Sequence, residues 1–283
     1  MVKVLRTIAE VRDFVREARA RGPVGLVPTM GYFHEGHRAL MRKAREMCPT
    51  VTVSIFVNPL QFGPQEDLAA YPRDFERDLA TAAEEGVDAV FTPSVEEMYP
   101  APQAAFVDIA ELTGVLCGRS RPGHFRGVAT VVAKLFNIVG PDYALFGQKD
   151  AQQLAVIRRM VRDLNFPVEI VAVPTVREAD GLAASSRNVY LTPEEREEAT
   201  ILFRALHWGK QTITGGERDP QRVARLMAET INGMPGARLD YAEVLSWPDL
   251  NPLATIEGEV LLAVAAWFGR ARLIDNMVVE AGN

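Results

Sequence analysis

Residues 24–37 read Val24-Gly25-Leu26-Val27-Pro28-Thr29-Met30-Gly31-Tyr32-Phe33-His34-Glu35-Gly36-His37. The first five residues are apolar and predict a short buried strand, and residues 35–47 have the spacing of an amphipathic helix. A polar turn that joins a buried strand to a helix is typical of an open α/β sheet, in which ligands bind at the carboxyl ends of strands. The stretch therefore predicts both the fold class and the place of a binding site.

The same alternation of strand and helix extends along the first part of the chain. Further strands are predicted at 51–57, 87–91, 143–146 and 168–173, and helices at 8–20, 71–85, 128–139 and 151–164. Alternation at this pitch predicts a parallel sheet with helices on both faces. We therefore expect residues 1–175 to form a Rossmann-like, doubly wound α/β domain.

The C-terminal part has a different order of elements. Thr192-Pro193-Glu194-Glu195 is a helix start with an N-cap Thr, a Pro at the first helical position and a Glu at the third. It is followed by predicted helices at 193–211 and 219–232, strands at 239–245 and 260–268, and a hairpin to 272–277. Helices followed by antiparallel strands predict that residues 176–283 form a second, smaller α+β domain.

Composition disfavours several function classes. The formal net charge of -6 over 283 residues argues weakly against general nucleic-acid binding, which usually uses a basic face. Two cysteines, Cys48 and Cys117, suggest no disulfide framework and fit a reducing cytoplasm. The N-terminal residues lack the apolar core of a signal peptide, and no apolar run is long enough to predict a membrane span.

The two histidines of the opening stretch have the chemistry of a phosphate site. His34 and His37 lie three residues apart, so their imidazoles share a face of the first helical turn. A helix N-terminus presents free N–H groups to phosphate, and imidazoles there can stabilise charge as a phosphoanhydride breaks. A packed or metal-binding pair is the structural alternative, although zinc would need a third ligand that is not evident.

These residues also resemble a known signature. His34-Glu35-Gly36-His37 is similar to the His-x-Gly-His motif of the nucleotidyltransferase superfamily, which includes class I aminoacyl-tRNA synthetases and cytidylyltransferases. The run Phe56-Val57-Asn58-Pro59-Leu60-Gln61-Phe62-Gly63 narrows the resemblance to the pantothenate synthetases. From local chemistry alone, Asn58 and Gln61 suit a substrate with hydroxyls and a carboxylate, or form a capped turn.

Three further polar segments have a structural alternative beside the functional one. In Gly147-Gln148-Lys149-Asp150, followed by Gln153, the Lys149 ammonium can reach a triphosphate, whereas Asp150 and Gln153 fit a capping box. Ser185-Ser186-Arg187 offers two hydroxyls and a guanidinium to phosphate, or is a polar interdomain loop. The basic, glycine-rich residues 118–128 are either a mobile anion-binding loop or a solvated one.

The resemblance implies an activity and a set of site residues. It implies ATP-dependent condensation of (R)-pantoate with β-alanine through a pantoyl adenylate, releasing AMP and pyrophosphate and using Mg²⁺. It implies catalytic roles for His34, His37 and Lys149, and binding of pantoate and β-alanine by Asn58, Gln61 and Gln153. It implies ATP contacts by Met30, Gly31, Tyr32, Phe33, His34, Glu35, Gly36, His37, Gly147, Gln148, Lys149, Asp150, Val176, Ala184, Ser185, Ser186 and Arg187.

The family likeness also implies a homodimer formed through the larger domain, and a smaller domain that closes over the ATP site. We expect neither a nucleic-acid nor a membrane partner, and no resident metal.

Three other functions are weighed against this one. A cytidylyltransferase would share the histidine motif but not the runs around Asn58–Gln61 and Gly147–Gln153. A tRNA synthetase would need an anticodon-reading module, for which the non-basic C-terminal part is a poor candidate. A non-catalytic nucleotide-binding module would have no need for both histidines and Lys149.

Overall fold

The computed structural model describes residues 2–64 and 66–282, which form two compact units. The first unit comprises the described residues of Met1–Gly114, Arg121–Gly147 and Val156–Pro174. The second unit comprises those of Val115–Ser120, Gln148–Ala155 and Thr175–Asn283. The division of the chain into domains at residue 176 stays a prediction.

The first unit contains a parallel sheet of six strands in the order β1-β4-β3-β2-β5-β6. In chain order the strands are β1 (Lys3–Leu5), β2 (Val24–Thr29), β3 (Thr50–Ile55), β4 (Ala89–Phe91), β5 (Tyr143–Gly147) and β6 (Glu169–Val173). Strand β1 was not predicted, because three residues at a sheet edge are too few to show a period. The other five have the strand order of a Rossmann fold, with a topological switch point between β2 and β5.

Helices flank this sheet and also form part of the second unit. In chain order they are α1 (Ile8–Ala18), α2 (Glu35–Met47), α3 (Phe75–Glu84), α4 (Val95–Met98), α5 (Leu116–Ser120), α6 (His124–Val139), α7 (Ala151–Asp163), α8 (Pro193–Ala199), α9 (Ile201–Thr214) and α10 (Pro220–Asn232). Within the described residues, no helix has both the length and the apolar character needed to cross a membrane.

Both faces of the parallel sheet are buried. Val27 and Val53 pack in one core cluster with Met41 of α2. Successive strand residues point to opposite faces, so the fully buried Leu26 and Ala144 lie on the other face. Strands buried on two faces read as near-continuous apolar runs, as in β2 and β5. Strand β3 is an exception, because its buried Thr50, Thr52 and Ser54 alternate with apolar residues.

Local contacts explain two of the differences between the predicted and the observed helix bounds. Helix α3 begins at Phe75 rather than at residue 71, because the Asp74 side chain caps it by accepting from the Arg77 N–H at 3.2 Å. The helix predicted over 193–211 is divided into α8 and α9 at Thr200. The Thr200 hydroxyl donates to the carbonyl of Glu197 at 2.7 Å, a local bond that competes with the helical ladder.

The second unit has an antiparallel sheet of three strands, in the order β7 (Ala237–Ser246), β8 (Gly258–Phe268) and β9 (Ala271–Ala281). Gly269 turns β8 into β9 with a φ of 53°, a left-handed conformation that glycine adopts without strain. Buried residues of α9, α10 and β8 form one core, including Leu206, Met227 and Leu262. The predicted fold class, a doubly wound parallel sheet with a smaller α+β part, is confirmed.

Candidate active site

The paired histidines form the start of helix α2. His34 is the N-cap residue, and its Nδ1 accepts the backbone N–H of Gly36 at 3.1 Å. The Nδ1 of His37 accepts the backbone N–H of His34 at 3.3 Å, which completes a capping box built from two imidazoles. Because a backbone N–H can only donate, the proton of each neutral imidazole lies on Nε2. The ring centroids are 4.1 Å apart, which confirms the predicted shared face.

The turn before His34 is held in an unusual conformation. Gly31 and Tyr32 both have positive φ, at 82° and 52°, and for tyrosine this left-handed backbone carries strain. The buried carboxylate of Asp78 on α3 fixes it by accepting the backbone N–H of Tyr32 at 2.6 Å and of Phe33 at 2.7 Å. Burial raises the pKa of Asp78 although these two N–H bonds oppose the rise.

Sequence reasoning missed Asp78. The available signal was an acidic residue on the buried face of the amphipathic helix α3, beside the buried Thr81 and Ala82. A carboxylate in such a position needs backbone or charged partners.

Asn58 and Gln61 lie in the turn that follows β3. Asn58 Oδ1 accepts from the Leu60 N–H at 3.3 Å and from the Tyr99 hydroxyl at 2.8 Å. Asn58 Nδ2 donates to Gln61 Oε1 at 3.2 Å and to the carbonyl of Gly127 at 3.1 Å. The structural alternative, a capped turn, is therefore correct for Asn58, which is almost completely buried. Tyr99 and Gly127 were not singled out from the sequence.

Part of the basic, glycine-rich segment 118–128 packs against this turn. The prediction of a loop there was wrong for most of its residues, since 118–120 end α5 and 124–128 begin α6. The Arg121 guanidinium pairs with Glu66, with Nε 2.9 Å from Oε1, and holds the pKa of that carboxyl below its usual value although burial opposes this. His124 Nδ1 donates to the Gln61 carbonyl at 2.8 Å, because a carbonyl only accepts. A Cβ on Gly127 would lie 2.7 Å from Cα of Gln61, so only glycine fits there. Residues 121–127 thus support the Gln61 turn.

In the second unit, the segment that carries Lys149 is fixed by β9. Residues Gln148–Asp150 form a 3-10 turn that runs directly into α7. The buried Asn276 donates from Nδ2 to the carbonyls of Gln148 at 3.0 Å and Lys149 at 2.7 Å. Asp150 is the last residue of this 3-10 turn, and the capping box considered for Asp150 and Gln153 stays a prediction. Lys149 Nζ lies 3.9 Å from Asp150 Oδ1.

The Ser185–Arg187 segment is attached to the same strand. Arg177 donates to both carboxylate oxygens of the buried Asp275, at 2.6 and 2.9 Å, and to the carbonyl of Gly181 at 3.0 Å. Burial raises the pKa of Asp275, whereas Arg177 opposes this. Ser185 caps the 3-10 turn Ser186–Tyr190 by accepting the Arg187 N–H at 3.3 Å. A small pocket in this unit is lined by Lys149, Ser185, Asn188 and Asp275, among others.

The remaining predicted residues of the second unit occupy the ends of these segments. Val176 accepts the Ala184 N–H at 3.0 Å, which closes the hairpin before Ser185. Gln153 is half-buried in the first turn of α7. The adjacent Gln152 binds protein backbone instead, accepting the Cys117 N–H at 3.0 Å and donating to the Val115 carbonyl at 2.7 Å.

Each unit brings together part of the predicted set. The first unit places Met30 beside Gln61, with Sδ 3.2 Å from Nε2, and the second places Lys149 and Ser185 in one pocket. Gly147 ends β5, which pairs with β2. Among residues 2–64 and 66–282, no group of three or more His, Cys, Asp or Glu side chains is arranged to hold a metal ion.

Known proteins match this chain over nearly its whole length. The family model for pantoate-beta-alanine ligase matches residues 3–278. The chain is 60% identical to the pantothenate synthetase of Moorella thermoacetica over 100% of both chains. It is 59% identical to that of Pelotomaculum thermopropionicum over 98% of each.

Solved structures agree. The crystal structure of pantothenate synthetase from Thermus thermophilus is 51% identical, with a TM-score of 0.92 over 98% of this chain and 99% of that one. The pantoate-beta-alanine ligase of Francisella tularensis, solved with beta-gamma ATP and beta-alanine, is 32% identical with a TM-score of 0.82 over 98% of both chains. This chain belongs to the pantoate-beta-alanine ligase family.

Proposed function

We propose that this chain condenses (R)-pantoate with β-alanine to pantothenate, driven by cleavage of ATP to AMP and pyrophosphate. The observation that carries the proposal is the pair of imidazoles at the start of α2, whose Nδ1 atoms are occupied by backbone N–H groups. Both rings are thereby fixed with Nε2–H as the donor, which is the arrangement needed to bind phosphate oxygens. The similarity of this chain to relatives named pantothenate synthetase supports the choice of substrates.

The chemical problem is that a carboxylate is a poor acylating agent, because its leaving group would be oxide. In the first step, a carboxylate oxygen of pantoate attacks the α-phosphorus of ATP. The bond from that phosphorus to the oxygen bridging the α- and β-phosphorus atoms breaks, and that oxygen leaves as part of pyrophosphate. The product is pantoyl adenylate, in which AMP is a good leaving group. In the second step, the amine of β-alanine attacks the acyl carbon, AMP leaves and the amine loses a proton.

The residues of the first unit bind and orient both substrates. His34 and His37 donate from Nε2 to phosphate oxygens and stabilise the charge that develops as the phosphoanhydride breaks. The dipole of α2 adds a partial positive charge at the start of this helix. Gln61 binds pantoate, helped by Asn58, which donates to the Gln61 amide oxygen. We propose that Gln153 also binds pantoate. His37 is the residue we propose as the hydrogen-bonding or proton-donating partner of the second step.

The residues of the second unit supply further charge. Lys149, Ser185, Ser186 and Arg187 are proposed to neutralise the phosphates, and Mg²⁺ to arrive with ATP as the substrate complex, since phosphate oxygens are its preferred ligands. Positioning and preorganised charge then account for much of the rate gain. The further ATP contacts proposed for this chain are those of Met30, Gly31, Tyr32, Phe33, Glu35, Gly36, Gly147, Gln148, Asp150, Val176 and Ala184.

One assay tests the function. AMP formation from MgATP is measured with pantoate and β-alanine together, with each alone and with neither. We expect sustained AMP release only with both substrates. AMP release that ignores pantoate, or binding of ATP without any turnover, would favour a different ligase or a non-catalytic nucleotide-binding module.

Three properties implied by the family likeness remain proposals of the same kind. We propose a homodimer formed through the larger domain, a C-terminal domain that closes over ATP, and a cytoplasmic location. Light scattering of the purified chain tests the dimer, and small-angle scattering with and without substrates tests the closure.

A further inference from the structure

We infer that Tyr99 is a positioning residue for the acid substrate: its hydroxyl holds Asn58, and Asn58 in turn holds the Gln61 amide with its NH₂ group towards the ligand. The inference rests on the proposed function, because it assigns the acid to the Gln61 turn. It adds to that function a determinant of specificity, Tyr99, that touches no substrate itself. All the contacts that carry it lie in the first unit.

The first step concerns the orientation of the Asn58 amide. The Leu60 N–H can only donate, and it contacts Oδ1. The Gly127 carbonyl can only accept, and it contacts Nδ2. These two backbone groups assign the oxygen and the nitrogen of Asn58 without ambiguity, so the Tyr99 hydroxyl, 2.8 Å from Oδ1, must be a donor.

The second step concerns Gln61. Because Asn58 Nδ2 is a donor, the Gln61 atom 3.2 Å away from it must be the acceptor Oε1. The Gln61 NH₂ group therefore points to the other side, where its contact is the Met30 sulfur at 3.2 Å. A thioether is a weak acceptor, so a carboxylate or hydroxyl oxygen of a ligand would be a better partner for this NH₂ group.

The third step explains why orientation matters. A carboxylate has only acceptor atoms, so it is attracted by an NH₂ group and repelled by a carbonyl oxygen. The two ends of a glutamine amide have almost the same shape, and only hydrogen bonds distinguish them. If Asn58 moved, Gln61 would be free to turn and to present Oε1 to the acid.

Tyr99 is suited to this role. Its side chain packs against Phe56 with ring centroids 6.1 Å apart, and Lys134 Nζ lies 5.3 Å from its ring centroid. Burial raises the pKa of Tyr99 above the ordinary phenol value, so its hydroxyl keeps the proton that it donates. Tyr99 lies 41 positions from Asn58 in the chain, so the hydrogen bond between them connects the Gln61 turn to the segment after α4.

The first test removes only the hydroxyl. Tyr99→Phe should raise the KM for pantoate roughly threefold to tenfold, the effect of one lost hydrogen bond. The KM for ATP should change less than about twofold. Tyr143→Phe is the matched control, because the Tyr143 hydroxyl makes no hydrogen bond with a described residue, and its kinetics should match the parent enzyme.

The second test asks whether Tyr99 acts through Gln61. In a double-mutant cycle, Tyr99→Phe introduced into Gln61→Ala should cause no further rise in the KM for pantoate. Full additivity, an unchanged KM in Tyr99→Phe, or an equal rise for ATP and pantoate would each overturn the inference. Failure of the proposed function is a separate result, since the parent enzyme would then release no AMP with pantoate and β-alanine.

A third variant covers the case in which Tyr99→Phe folds poorly. Asn58→Asp keeps an acceptor for Tyr99 and Leu60 but places an oxygen against Gln61 Oε1. Gln61 should then turn its NH₂ group inward, and the KM for pantoate should rise more than in Tyr99→Phe. An Asn58→Asp enzyme with the parent KM for pantoate would contradict the orientation argument.

Discussion

The backbone N–H of His34 donates to Nδ1 of His37 across 3.3 Å, so the second histidine of the motif caps the helix on which it lies. In the second capping contact, Nδ1 of His34 accepts the backbone N–H of Gly36. The start of α2 and the proposed phosphate site are therefore built from the same residues, and the first turn of α2 sets the tautomer of both imidazole rings. A substitution at either histidine removes both an imidazole donor and a contact that caps α2, so a test of catalysis must separate these two effects.

Substitutions that retain the cap make this separation. Asparagine is a good N-cap residue and glutamine suits the third position of a capping box, so His34→Asn and His37→Gln should keep the stability of the parent. Each should lower kcat by about 10²–10³, the usual cost of one preorganised donor. Thermal unfolding and steady-state kinetics are the two measurements. Near-normal turnover in a correctly folded variant would contradict the phosphate role.

Helix α1 offers the complementary control. Thr7 caps α1 in a capping box with Glu10, at a distance of 3.2 Å from Thr7 Oγ1 to the Glu10 N–H. Thr7→Ala should lower the free energy of unfolding by about 0.5–2 kcal/mol while leaving kcat unchanged.

Lys149→Ala should lower kcat by about 10²–10³ without loss of stability, because it removes a charge that is proposed to contact phosphate. The side chain is partly exposed and its ion pair with Asp150, at 3.9 Å, is long, so little structural stability depends on it. Lys210→Ala is the control, since Lys210 is an exposed lysine of α9. If both lysine variants keep the parent kcat, the assignment of Lys149 to the site is wrong.

Asp78→Asn should disturb the Gly31–Phe33 turn and give a pH-dependent loss of stability. Burial raises the pKa of Asp78 above its ordinary value, so its contribution to stability is present at low pH and is lost as pH rises through the folded-state pKa. Asparagine does not titrate and leaves one of the two backbone N–H groups without an acceptor. The cost of the substitution, measured by urea unfolding, should therefore grow as pH falls from about 7 to about 4.

Displacement of the turn should also lower kcat, by about 10–10². A cost of unfolding that stays constant over this pH range, with kcat unchanged, would show that Asp78 is not the anchor of the turn.

Local patterns in the sequence predicted the parts of the site that depend on local geometry. The shared face of His34 and His37 follows from a spacing of three residues, and the place of the turn follows from the strand that ends at Thr29. The amphipathic pattern at residues 71–85 was also correct for most of α3, but the cap at Asp74 decides where the helix begins.

The supporting contacts join residues that are distant in the chain. Asp78 binds a backbone N–H 46 positions away, Tyr99 binds a side chain 41 positions away, and Asn276 binds a carbonyl 127 positions away. The periodicity of a helix or strand pattern gives no information about contacts between residues so far apart in the chain. A buried polar residue on an apolar face, as at Asp78, is the one local sign that such a partner exists.

Gln61→Ala should impair use of pantoate and spare binding of ATP. The Gln61 turn follows β3, whereas the histidines follow β2, so the two groups lie after different strands. Loss of an amide that pairs with a hydroxyl or carboxylate costs about 1–3 kcal/mol, or roughly a fivefold to hundredfold rise in KM for pantoate. Titration calorimetry with ATP is the check on the second half. Lost ATP binding together with normal pantoate binding would reverse the assignment of the pocket.

The order of the chemical steps can be tested without any substitution. If pantoyl adenylate forms first, adenylation is a complete and reversible half-reaction with pyrophosphate as its leaving group. The enzyme should then exchange labelled pyrophosphate into ATP, and this exchange should require pantoate and Mg²⁺ but not β-alanine. A route through an acyl phosphate would instead break the bond to the γ-phosphorus, release ADP and give no such exchange.

The variants described above sharpen this test. His34→Asn should reduce the exchange in parallel with overall turnover, because the imidazole is proposed to act while pyrophosphate leaves. The Tyr99→Phe enzyme should reach the parent exchange rate once pantoate is saturating, because the substitution is proposed to weaken only the binding of pantoate. ADP as the product, or exchange that strictly requires β-alanine, would refute the adenylate even if pantothenate were formed.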